Sequence, residues 1–264
     1  MVKQKNSKHL SAVFFWFLVI VLIYWWSFQS LDFTGVKSSA GQVLNAMIHG
    51  LIHPDWQYVY DGSGEDLLSL ILQTLAIAFL GTFSSAVLSL PFAFWAARGP
   101  HERHRHLRST TGKFVIILIR TFPEIVLAIM FIKAVGPGSF AGVLAVSIHS
   151  IGMLGKLFSE ALENMDYRAS EALISVGANQ PQTLVMATLP TILPEFLSYT
   201  LYQFEIAVRS ASILGMVGAG GIGTPLLFAI QTRSWQRMGI ILIGIIIMVT
   251  LIDLLSGTLR KRLV

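Results

Sequence analysis

The sequence predicts an all-α, polytopic integral membrane bundle of about six transmembrane helices, and two observations carry that reading. Hydrophobic residues make up 54% of the 264 positions and charged residues 12%, whereas a solvated globule of this size carries about 25% charged residues. Half that supply cannot coat a surface in water, and the mean hydropathy of +0.67 agrees. Apolar runs near the length that crosses roughly 30 Å of hydrocarbon as a helix recur along the chain. Alternating ten-residue segments of the outer-membrane barrel kind do not.

The expected spans are residues 10–28, 67–97, 114–135, 140–158, 192–217 and 238–255. The first starts after Lys3, Lys5 and Lys8 and ends in Tyr24, Trp25 and Trp26, which read as an interfacial aromatic belt. A cleaved signal peptide would have a shorter apolar core, of about 7–15 residues, and a small-x-small site after it. The second span is long enough to tilt. The third carries Arg120 and Glu124 around Pro123, which removes a backbone donor and predicts a kink. On the fourth, His149, Gly152, Lys156 and Glu160 share a helical face. The fifth is interrupted by polar groups, with Glu205 and Arg209 four apart so that they can pair.

Cations set the expected orientation. Lys3, Lys5 and Lys8, then Arg98, Arg103, Arg105, Arg108 and Lys113, then Arg260, Lys261 and Arg262 fall on one side of six crossings, which the positive-inside rule makes cytoplasmic. Both termini are therefore expected inside. The acidic loop with Asp32, Asp55, Asp61, Glu65 and Asp66 lies opposite, together with Arg233 and Arg237, which go against the rule.

Residues 159–195 are too long for a simple turn between helices of a compact bundle. Ala169, Ala172, Leu173 and Val176 fall at i, i+3, i+4 and i+7 and predict one amphipathic helix. Gly177 is placed to stop it, and Pro181, behind Asn179 and Gln180, suits the first turn of a second helix. Leu189-Pro190 and Pro194 then lead back to the bilayer. An interfacial anchor would carry Lys and Arg on its polar face. This helix offers Arg168 against Asp166 and Glu171, which favours docking to a protein partner over lying on lipid.

Several chemistries are excluded. With no cysteine there is no disulfide framework, thiolate metal site or cysteine nucleophile. The net charge of +5 belongs to orienting loops rather than to nucleic-acid binding. His101, His104 and His106 alternate with arginines whose charge opposes a metal, so neither a metal nor another cofactor is expected. Gly218, Gly220, Gly221 and Gly223 satisfy the G-x-G-x-x-G pattern but follow a span rather than a strand, and residues 152–157 lack the spacing of a P-loop. The glycines read as close packing or an irregular turn at an outer gate. A membrane enzyme would need a convergent acid–base or metal set, and a secondary transporter inverted halves. No halved repeat stands out.

The spacing of Glu171-Ala172-Leu173, three residues, Gly177 and then Leu189-Pro190 resembles the EAA loop of bacterial ABC importer permeases. Leu173 replaces the second alanine of that motif, and Ala187 stands where it has isoleucine. The resemblance implies that Glu171, Ala172, Leu173, Gly177, Leu189 and Pro190 couple to a separate ATP-hydrolysing subunit. Residues 120–124, 148–157, 205–210 and 215–223 are similar to the phosphonate importer permease family, the PhnE type, with the glycine stretch shared by methionine-type permeases.

That family implies a type I (MetI-like) permease core at 67–264, preceded by a tail, one span and an extracellular loop at 1–66. It also implies a multi-pass bacterial cell-membrane protein that imports phosphonates or related phosphorus oxyanions by alternating access. Its partners would be a cytoplasmic ATP-binding dimer, an extracellular or periplasmic substrate-binding protein and a second permease copy or homologue. Import of methionine or another small solute stays open. Arg209, Ser210 and Ser212, with Glu205, His149, Arg120 and Glu124, are the candidate path residues, because arginine's planar fork suits oxyanions. A neutralised structural pair, a bare kink and a structural histidine are the corresponding alternatives.

Overall fold

A computed structural model describes residues 5–29, 40–98 and 106–263. Lys3, Asp32, His101, Arg103, His104 and Arg105 lie outside the described residues. The chain divides into two compact units, Met1–Ala46 and Met47–Val264. The first holds α1 (Lys5–Gln29), whose side chains from Phe14 to Phe28, half-buried Val19 apart, are exposed and mostly apolar, as a lipid-facing helix requires.

Among the described residues all regular structure is helical. After α1 come α2 (Ala40–Ile52), α3 (Leu67–Ala96), α4 (His106–Thr121), α5 (Glu124–Val135) and α6 (Ser139–Asn164). They are followed by α7 (Arg168–Ser175), α8 (Gln180–Thr183), α9 (Leu189–Leu214), α10 (Gly223–Gln231) and α11 (Trp235–Leu263). Five helical stretches are long and apolar enough to cross a membrane, and the α4–α5 pair makes a sixth if its two halves count as one crossing. The protein is a multi-pass membrane protein.

Packing register supports that count. Gln73 bonds Ser139, Gly81 lies against Val146, and Ser84 meets Ser147, so α3 and α6 run parallel, side by side. Residues 97–138 must therefore return from the Ala96 end of the pair to the Ser139 end. They do so through α4, whose Gly112 lies against Ala96, and α5, which reaches the Gly218 turn through Ile132. The span expected at 114–135 is broken at the expected kink: its two helices meet at 76°. Pro123 has no N–H to donate and itself sits in extended backbone at ψ 134°, so the ladder stops after Thr121 and restarts at Glu124 instead of bending.

Around α6 the core is built from Ile77, Ala78, Leu127, Ala145, Val146, Ala207, Val208, Ala211 and Met248. Towards the Ala96 end, Phe158 stacks on Phe196 at 4.1 Å between ring centroids, setting α9 antiparallel to α6. Small residues keep the helices close, which suits association in lipid, where packing rather than hydrophobic transfer drives it.

Two further expectations change. The loop after the first span contains α2 and a short 3-10 turn, Trp56–Val59. Gly50 of α2 and Gly239 of α11 cross backbone to backbone, leaving no room for a Cβ on either. Asp66 is not a solvated loop acid; it is fully buried where α3 begins. The return at Leu189-Pro190 is one continuous helical run: α8 passes into α9 through a π-helical turn, Leu184–Thr188. The wider i→i+5 turn, closed by Leu189 N–H to the Leu184 carbonyl, absorbs Pro190 without ending the helix.

Candidate functional site

Two regions gather the residues singled out by sequence. The first is the hairpin after α6. Asp166 opens it by accepting from the backbone and guanidinium of Arg168, and those hydrogen bonds hold its carboxyl at about 2. The same partnership raises the Arg168 guanidinium above its ordinary value. Tyr167 donates its hydroxyl to the Leu162 carbonyl, and burial pushes that phenol upward.

Gly177 ends α7 at φ +90°: its N–H bonds the Ile174 carbonyl and that of Ala178 bonds the Leu173 carbonyl. This paired closure needs a left-handed residue, and glycine adopts it without Cβ strain. Asn179 and Gln182 then cap α8 reciprocally. The apolar stripe is largely uncovered. Ser170 faces inward toward Thr188, whereas Ala169, Ala172 and Glu171 are exposed, Ile174 is 59% exposed and Val176 82%. Leu189 is half-buried and Pro190 exposed.

The second region lies along α9. Counting from Leu67 to Ser84 on α3 at 1.5 Å per residue, the Ser147–Ser150 level of α6 is about 25 Å along the bundle. At that level Gln203 donates to Ser150, Gly152 packs on the Arg120 backbone, and His149 Nδ1 lies 3.3 Å from the Phe122 carbonyl. Because a carbonyl only accepts, that ring nitrogen is the donor. Arg120, His149, Gln203 and Glu205 thus share a depth although they come from three helices.

Glu205 is held twice. Its Oε1 is 3.0 Å from Arg209 and its Oε2 is 2.8 Å from Arg260 on α11. The pair expected from the i, i+4 spacing is present, but Arg260, read in the sequence as part of an orienting cluster, joins it. A sequence signal for this existed. Gly244, Met248, Ile252, Ser256 and Arg260 follow one another at i+4, and the first four line the packed side of α11.

Other expected arrangements are not formed. Arg120 and Glu124 make no ion pair among the described residues, because the helix break falls between them. Ser212 is buried and donates to the Val208 carbonyl, while Ser210 is half-buried.

The glycine turn knits three elements together. Gly218 at φ +97° closes α9 as Gly177 closes α7, with Gly218 N–H to Gly215 and Ala219 N–H to Leu214. Gly221 N–H donates to Gln73, Ile222 N–H to Thr74, and Gly220 lies against Ser139. Gly223 abuts the Ser212 carbonyl. The turn is thereby fastened to the starts of α3 and α6. Near the same end, Arg237, which went against the charge rule, lies over the Tyr58 ring at 4.6 Å and within the field of Asp61.

A bundle of long apolar helices with one broken crossing and paired charges at depth defines a membrane-embedded transport component. Residues 89–264 match the family described as binding-protein-dependent transport system inner membrane component, and the chain belongs to that family. It is 40% identical over 194 residues to the phosphite transport system permease protein PtxC of Stutzerimonas stutzeri, covering 73% of this chain and 69% of that one. Against the phosphate-import permease protein PhnE of Mycolicibacterium smegmatis, identity is 39% over 207 residues, covering 78% of this chain and 38% of that longer protein. Among solved structures, a chain of the inward-facing MetNI methionine ABC transporter superposes with a TM-score of 0.67 at 20% identity, covering 78% of this chain and all of that one. The shared fold is the MetI-type permease bundle.

Proposed function

We propose that this chain is the transmembrane permease subunit of an ABC importer carrying phosphonates or related phosphorus oxyanions inward across a bacterial cell membrane. The observation that carries this reading is the 40% identity to a permease named for phosphite, extending over most of both chains. The 20% identity to the methionine transporter chain supports the fold and not its ligand.

Energy would come from a separate cytoplasmic ATP-binding dimer. The α7 helix supports this: it stands out from the bundle with Ile174 and Val176 uncovered, a surface suited to seating in a partner. With α7 inside, both termini are cytoplasmic and Asp61 and Arg237 face outward, where a binding protein would deliver cargo. A second permease copy or homologue would complete the path. Movement of α7 would be transmitted through α8, continuous with α9, toward the level of Arg209, Glu205, His149 and the broken α4–α5 crossing. The glycine turn would brace the outer end.

Uptake by the complete transporter tests this. Glu171→Ala and Gly177→Asp are expected to abolish oxyanion uptake while the protein stays in the membrane. Unchanged uptake in either variant would remove α7 as the coupling element.

A further inference from the structure

At the charged level of the bundle the arithmetic is uneven. Two guanidiniums, Arg209 and Arg260, share one carboxylate, Glu205, and among the described residues no other carboxylate lies within 4.0 Å of either. Arg209 lies inside the α9 run, where a cation without a carboxylate of its own is expensive and marks a functional position. The Arg260 Nε is moreover buried with no hydrogen-bond acceptor, and an unmade buried bond is costly. Tyr202 fixes the group in place, with its ring 5.6 Å from the guanidinium. Glu205 itself is 12% exposed, whereas Arg209 is 46% exposed.

We propose that Arg209 and Arg260 form a two-arginine transfer site for the anionic cargo, with Glu205 as the internal anion that cargo displaces. This rests on the function proposed above and deepens it by adding Arg260 and Tyr202 to the path. Glu205 presents one oxygen to each guanidinium, and the O–P–O edge of a phosphorus oxyanion offers the same two-oxygen bridge. Its further oxygen can accept from the unspent Arg260 Nε, which a carboxylate with both oxygens engaged does not reach. Planar forks favour this bridging over the point charge of lysine.

Position supports a late step of transfer. Arg260 lies sixteen residues beyond Gly244, which packs on Leu67, so it sits about 24 Å along the bundle at 1.5 Å per residue. This is the level at which α8–α9 would bring the movement of α7. Displacing Glu205 also breaks the Glu205–Arg260 tie between α9 and α11, so cargo and that tie compete for the same arginine.

The competing account is a structural tie that only holds α11 to α9. To separate them, the complete transporter with its cognate ATPase and binding protein is placed in proteoliposomes, and uptake of methylphosphonate and of phosphite is measured against concentration. Arg260→Lys should assemble normally yet take up either probe about tenfold or more slowly below saturation, the loss of roughly one charge-assisted hydrogen bond. Glu205→Gln should lower the half-saturating concentration. The exchanged variant Glu205→Arg with Arg260→Glu should recover assembly but not uptake. Recovered uptake in the exchanged variant, or wild-type kinetics in Arg260→Lys, overturns the transfer site and leaves the function intact. A wild-type transporter that moves neither probe overturns the function as well.

Discussion

His149 donates through Nδ1 to the main-chain oxygen of Phe122, 3.3 Å away, at the point where Pro123 breaks the third crossing. The break frees that carbonyl, since Val126 and Leu127 both bond back to Pro123 instead. Within a bilayer an unbonded carbonyl has no water to turn to. The histidine on α6 therefore stabilises a bend made by a proline on another helix.

His149→Leu should accordingly destabilise the bundle by about 1–3 kcal/mol, the cost of an acceptor orphaned away from water. His149→Gln, which keeps a donor, should recover part of the loss. Thermal unfolding in detergent measures both. Equal stability of the leucine variant and wild type would show that Phe122 finds another partner.

The Asp166–Arg168 pair gives a pH dependence outside the membrane. The folded carboxyl is held at about 2 against an ordinary 3.8. A depressed acid contributes its stability in full above the unfolded value and loses it as pH falls through the folded one. Amide-exchange protection of α7 should thus be flat from pH 8 to 5 and decline from about pH 4 toward 2. Asp166→Asn should abolish that decline, and a wild-type profile that changes between pH 8 and 5 would assign the dependence to another group.

The crossing of α2 and α11 depends on two glycines. A Cβ at Gly239 would run into the Gly50 backbone, whereas one at Gly257 of the same helix meets nothing within 4 Å. Gly239→Leu should cost about 1–3 kcal/mol or more through overpacking. Gly257→Ala should be neutral or gain up to about 1 kcal/mol in helix propensity. Similar unfolding temperatures for the two variants would mean that α2 detaches without loss.

Much of the fold was legible because lipid imposes simple rules. Long apolar runs marked the crossings, Pro123 marked the break, and Gly177 marked the end of α7. The 76° angle was not legible, because proline removes one donor but neighbouring helices decide how far the halves swing. Nor was the continuity of α8 with α9: two prolines suggested a return, and the π-helical turn that accommodates Pro190 has no residue signature. At the candidate site, Glu205 and Arg209 could be paired from spacing alone, since both lie on one helix. Ser212 could not be removed from the lining, because whether a serine faces a path or bonds its own preceding turn depends on what packs beside it.

By itself the sequence determined that this chain lives in a membrane, crosses it through helices of known approximate position, and exposes an amphipathic hairpin between two of them. Composition and periodicity suffice for that, because each helix satisfies its own backbone and its apolar length must match the hydrocarbon. Only the tertiary structure decided that Arg260 reaches Glu205 across 55 positions and that His149 answers Phe122 across 27. Periodicity defines the faces of a helix. Which face meets which neighbour, and at what depth, follows from the interlocking of small and large side chains along α3, α6, α9 and α11.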